Sequence, residues 1–133
     1  MECLESPDKR DRCASELGEP QLWQRSHSLA LEVYRITREV PAADHFKLVS
    51  RLRKAAAAMA ASIDQGAKRP AKPDQARFLD RAEDELAEMH CLVILGCHLG
   101  YLTGTEPEGV LGRMAEITRL LQALRTPGPR GRP

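Results

Sequence analysis

A chain of 133 residues has room for one domain, burying about two thirds of its unfolded surface in a single core. Its hydrophobic share of 42% is carried by Leu and Ala, with only one Trp, two Tyr and two Phe, a mix poor in the β-branched and aromatic residues that strands favour. The net charge of +1 excludes a strong overall field drawing the chain to nucleic acid or an anionic membrane.

Residues 1–19 mix charges with Pro7 and Gly18 and hold no sustained period, so a disordered leader is expected there. The bundle domain is then expected over 20–125. From 21 to 40, Leu22, Ser26, Leu29, Val33, Ile36 and Val40 recur every three or four residues, one stripe of a helix about 30 Å long that Pro41 stops. A second helix is predicted over 44–65, with Asp44 as its cap, Val49, Leu52, Ala56, Met59 and Ile63 on one face, and Gly66 as its stop. The run of small residues over 55–62 lets a neighbouring helix come close while keeping helix propensity high.

The connection over 67–72 is short, basic and broken by Pro70, and Pro73 suits the first turn of a third helix running to about Leu99. Phe78, Ala82, Leu86, Met89, Val93 and Gly96 mark its stripe, and Gly100 ends it. Its first half is acidic, whereas 89–99 is apolar on nearly every side and needs cover all round. Cys91, Ile94, Leu95 and His98 are therefore expected at a subunit interface. Thr103 or Thr105 then opens a fourth helix, each with a Glu three residues on, the capping-box spacing. That helix runs to about Leu124 through Leu111, Met114, Ile117 and Leu121. Residues 126–133 are Pro, Gly, Arg and one Thr, and a disordered tail is expected. Connections this short force antiparallel neighbours, so the expected fold is all-α, an up-down-up-down four-helix bundle.

The charge is unevenly spread. Residues 1–19 carry three Lys and Arg against six Asp and Glu, 20–72 ten against four, 73–102 two against six, and 103–133 five against three. Cys3, Cys13, Cys91 and Cys97 form no staple pattern, and no apolar signal stretch opens the chain, so a reducing cytoplasm is expected. The longest apolar run, 91–96, is far too short to span a bilayer.

Taken in order, Leu22-Trp23-Gln24-Arg25, Val33-Tyr34, Leu52-Arg53-Lys54-Ala55-Ala56, Ile63 with Gly66 and Arg69, Arg77-Phe78-Leu79 with Ala82 and Glu88, and Leu99-Gly100-Tyr101-Leu102 form a set that resembles the four-helix bundle protein family encoded in intervening sequences of 23S rRNA genes of bacteria. The resemblance covers about 21–124 and implies a homo-oligomeric ring, a homopentamer, without known enzymatic activity. The implied fold is also similar to that of the accessory variability proteins of diversity-generating retroelements, basic pentamers that bind nucleic acid and a reverse transcriptase. The chain departs from the family where an Asn-Ile-Ala-Glu-Gly run is replaced by Ser62-Ile63-Asp64-Gln65-Gly66, where Arg51 replaces a Gln, and where Asp84 and Glu85 replace small residues.

His90, Cys91, Cys97 and His98 have metal-ligand chemistry but poor spacing: residues seven apart on a helix lie about 10.5 Å apart along its axis, and closer pairs point in different directions. No metal is expected, and no carboxylate is placed to orient an imidazole for catalysis by a Cys-His pair. With no phosphate-binding Gly-rich loop, paired catalytic carboxylates or dinucleotide fingerprint, the expected protein is not an enzyme and needs no cofactor or small-molecule substrate.

The basic residues Arg51, Lys54, Lys68, Arg69 and Lys72, with Arg35 and Arg38 ending the first helix, are the candidate nucleic-acid contacts. Repeated round a ring they would form a basic annulus for RNA or DNA, although cations near helix C-termini also serve the helix dipole. Few aromatics are placed to stack bases, so phosphate contact is expected over base readout. The acidic and basic stretches also suit a head-to-tail contact between copies, with Arg53 and Glu88 expected as an ion pair joining the second and third helices or two subunits. A protein-interaction scaffold without a nucleic-acid role is the alternative reading.

Overall fold

The computed structural model describes residues 22–125, and the expected leader over 1–19 and tail over 126–133 lie outside the described residues. Four α-helices follow one another: α1 (Leu22–Ile36), α2 (Ser50–Ala67), α3 (Lys72–His98) and α4 (Glu106–Arg125). α1 packs on α2 and α4, and α3 on the same two, with the α2–α3 contact the most extensive. The helices therefore stand at the corners of a four-sided bundle, α1 diagonal to α3 and each antiparallel to the next in sequence, as the short connections require. No strand occurs among the described residues.

Leu22, Leu29, Val33 and Ile36 of α1, Leu52, Met59 and Ile63 of α2, Leu86, Met89 and Val93 of α3, and Met114, Ile117 and Leu121 of α4 are all buried, as their spacing of three and four predicts. Two stripes shift by one residue. On α3 Leu79 is buried where Phe78 is expected, and on α4 Val110 is buried while Leu111 and Leu124 are half-buried. Leu111 and Leu124 still pack against the core, while at Phe78 and Leu111 a neighbour 100° round the helix takes the buried place.

α1 stops at Ile36 and not at Val40. The buried Thr37 donates its hydroxyl proton to the Val33 carbonyl at 2.8 Å. The amides of Arg38 and Val40 reach back three residues, to Arg35 and Thr37, so the chain tightens ahead of Pro41, which disfavours helix at the residue before it. The second helical stretch begins earlier than expected, with a 3₁₀ turn (Ala42–Asp44) and a π turn (His45–Val49) before α2 proper, so Asp44 ends a turn and does not cap α2.

Gly66 is not a stop. It is buried in the last turn of α2, and a Cβ there would lie 3.2 Å from the Cβ of Phe78. Its missing side chain is what lets α2 and α3 touch at this end of the bundle. Gly100, by contrast, does end α3: at φ +83° it donates to the Cys97 carbonyl while Tyr101 donates to that of Gly96, the paired bonds of a Schellman cap. The chain then folds Leu102 over Gly96, where a Cβ would lie 2.9 Å from the Leu102 Cδ1 and 3.4 Å from the Leu48 Cδ2. This cover accounts for much of the apolar second half of α3, leaving Leu95 and Leu99 about half exposed. α4 starts at Glu106, so of the two candidate caps Thr105 is in register. No described helix is long and apolar enough to cross a membrane.

Candidate nucleic-acid interface

The five candidate cations do not form one cluster. Arg51 and Lys54 lie in the first turns of α2, while Lys68 and Arg69 follow its last residue, so about 25 Å of helix separates the two groups at 1.5 Å per residue. Sequence neighbourhood hid this separation, because a helix carries residues seventeen apart to opposite ends of a bundle. Arg51 is also engaged: its guanidinium donates to Glu88 at 2.7 Å across the α2–α3 groove. Lys54 lines the same groove with Glu85 and Glu88.

That pair corrects the expected Arg53–Glu88 bond within the protomer. Arg51 and Arg53 are 200° apart round α2, and Arg53 faces α1, donating from Nε to the Thr37 hydroxyl at 2.8 Å and to the Tyr34 carbonyl at 3.3 Å. Its guanidinium lies 4.7 Å from the Tyr34 ring centroid. Arg53 is thus a cation at the C-terminus of α1, bonded to its end and favoured by its dipole.

At the α2–α3 turn the remaining cations do converge. Lys68 pairs with Asp64 at 3.3 Å, Lys72 is the exposed first residue of α3, and the Gln75 side chain donates to the Arg69 carbonyl at 2.9 Å, tying the turn to α3. The guanidinium of Arg69 lies 4.8 Å from the centroid of the Phe78 ring and that of Arg81, one turn further along α3, lies 5.0 Å from it. Neither arginine makes an ion pair among the described residues. Arg77 is exposed nearby and bonded to Asp74 at 2.7 Å. Phe78 is in place for this because Gly66 lets its Cβ approach α2. Sequence reasoning missed Arg81 and placed Phe78 in the core. The available signal was the i, i+3 spacing of Phe78 and Arg81 on one helix face.

The acidic half of α3 is partly neutralised inside the protomer, by Arg51 on Glu88 and Arg77 on Asp74. Glu85 remains undercompensated. Burial holds its carboxyl above the usual value, and the charges of Glu88 and then Asp84 add to this against the pull of Arg81 and Lys54. Of the residues expected at a subunit interface, Cys91, Leu95 and His98 are exposed and Ile94 is half-buried. His90 is exposed and Cys97 half-buried. No group of three His, Cys, Asp or Glu side chains able to hold a metal ion occurs among the described residues. In the run that departs from the family, Ser62, Ile63 and Gly66 are buried and only Asp64 and Gln65 reach the surface.

A crystal structure of a protein of unknown function from the S23 ribosomal protein family of Bacteroides thetaiotaomicron shares this fold, with a TM-score of 0.73 at 18% identity over 79% of this chain and 98% of that one. No curated protein matches the chain. The family model of the 23S rRNA-intervening sequence protein matches residues 19–123, spanning the bundle up to the last residues of α4, and the chain belongs to that family.

Proposed function

We propose that the protein is a non-enzymatic, homo-oligomeric bundle, a ring of five copies, that holds RNA or other nucleic acid by its phosphates at the α2–α3 turn. One observation carries this reading: Arg69 and Arg81, both free of ion pairs among the described residues, rest on the single ring of Phe78. An aromatic support holds a guanidinium in place without consuming its charge or its donors. Two such forks side by side, with Lys68 and Lys72 beside them in the chain, suit a row of phosphates better than a single small anion. Phosphate contact positions a nucleic acid without reading its bases, and repetition round a ring multiplies the contacts and steepens their salt dependence.

Purified, nuclease-treated protein titrated with labelled structured RNA, single-stranded DNA and duplex DNA tests the reading, at low and near-physiological salt. Binding is expected to weaken steeply with salt and to drop when Arg69 and Arg81 are both replaced by Gln. Absence of binding at low salt overturns it. The alternative, a protein-interaction scaffold, draws on a different observation, the half-exposed Leu95 and Leu99 of α3.

A further inference from the structure

Two sides of the bundle are uncovered, and they differ in kind. On α1, beside the buried stripe, runs a second one: Trp23 and His27, whose rings stack with centroids 5.2 Å apart, then Leu31 at 60% exposure and Tyr34 at 43%. It points outward and toward α2, where Arg53 and the small Ala57 and Ala60 share the adjoining face at helical spacing. Leu31 and Tyr34, standing this far into solvent beside the half-buried Trp23, mark an interaction surface. On the opposite side, between α3 and α4, lies an open groove of about 550 Å³ whose lining includes Leu86, Ala87, Leu111, Met114 and Ala115. One surface offers knobs and the other offers a hollow in which those small and apolar residues lie among Glu83, His90, Thr118 and Arg119. Because α1 and α2 form one side of the four-sided bundle and α3 and α4 the side facing away, no protomer can seat its own stripe in its own groove.

We propose that copies of this chain associate head to tail, the Trp23–Tyr34 stripe of one lying in the α3–α4 groove of the next. The inference rests on the assembly part of the reading above and assigns it its two surfaces. Charge agrees with shape. Arg53, at the edge of the stripe, has only neutral partners among the described residues of its own protomer, the Thr37 hydroxyl and the Tyr34 carbonyl and ring. Asp84, one turn from Ala87 on the exposed side of α3, makes no ion pair among the described residues. A second copy brings a cation edge to a carboxylate edge, and unlike charges brought together favour this pairing over stripe against stripe. Since the two surfaces are different, each added copy leaves one of each free until a ring closes.

The test measures mass by light scattering on the full chain, wild type and two variants, with helix content followed in parallel. Leu31→Glu spoils the stripe at a side chain the protomer leaves in solvent, and Ala87→Trp fills the groove from an exposed position. Wild type is expected as a multimer and each variant as a single chain of 14.8 kDa with unchanged helix content. An equimolar mixture of the variants is expected to yield a species of twice that mass and nothing larger, because each variant keeps one good surface and only one productive pairing remains. A wild-type multimer whose mass either variant leaves unchanged overturns the assignment of surfaces while the assembly reading stands. A wild type that stays a single chain at every concentration overturns both.

Discussion

Arg53 donates from Nε to the buried hydroxyl of Thr37 at 2.8 Å, and that hydroxyl in turn donates a hydrogen bond to the Val33 carbonyl at 2.8 Å. The end of α1 is therefore closed by a residue of α2. Arg53→Ala would leave that buried hydroxyl short of a donor and the Tyr34 carbonyl without its cation, a loss of about 2 kcal/mol for a charged hydrogen bond to a buried group. Glu88→Ala removes only a largely exposed pair with Arg51, which costs roughly 0.5 kcal/mol or less. Denaturant titrations of the two variants should separate them by more than about 1 kcal/mol, and equal losses would contradict this division of roles.

Gly66→Val should be more damaging than any exposed change on α2. Valine gains helix propensity over glycine, roughly 0.5 kcal/mol, but its Cβ would come within 3.2 Å of the Phe78 Cβ, an atom fixed to the α3 backbone that cannot swing aside. Its γ-methyl groups crowd the same space, and overpacking of this kind costs about 1–3 kcal/mol. Thermal melting is expected to fall by roughly 10 °C for a domain of this size, with the α2–α3 turn spread and nucleic-acid affinity reduced alongside.

How much of this was legible in the sequence follows from which forces are local. The stripe from Leu22 to Ile36 and that from Leu52 to Ile63 are burial patterns set by helical period, and they are where the period puts them. Gly100 was readable as a stop because a left-handed residue after a helix has a strong chemical preference. Gly66 looks the same in sequence yet is an approach glycine, since what it meets is Phe78, twelve residues on and on another helix. The candidate cations are divided for the same reason: Arg51 and Lys54 sit near Lys68 in the chain, but the intervening helix carries them to its far end. The Arg69–Phe78–Arg81 arrangement exists only once two helices touch.

Glu85 gives a pH signature. Its carboxyl is held above the ordinary value of 4.5 mainly by burial, then by Glu88 and Asp84, so the folded state holds that proton more tightly than the unfolded chain. Ionised Glu85 therefore lowers stability fully above its raised folded value, progressively less as pH falls, and not at all below the ordinary value. Glu85→Gln should raise the melting temperature at neutral pH by the equivalent of about 0.5 kcal/mol, small because the group is only half-buried and screened. The gain should vanish near pH 4. A gain of equal size at both pH values would point to packing and not to charge.

Phe78 separates support from charge at the proposed interface. Phe78→Leu keeps the Cβ that Gly66 accommodates and keeps both arginines, but removes the ring on which Arg69 and Arg81 rest. Two exposed cation–π contacts at about 0.5 kcal/mol each amount to roughly a fivefold loss of affinity for nucleic acid. The number of phosphates neutralised is unchanged, so the slope of log affinity against log salt should stay the same. Arg69→Gln should instead flatten that slope by about 0.7 to 0.9 for each phosphate it no longer neutralises. Measuring both slopes on the same labelled RNA decides the point: a flattened slope in Phe78→Leu would mean that the arginines do not reach phosphate without their ring, and an unchanged slope in Arg69→Gln would remove Arg69 from the interface.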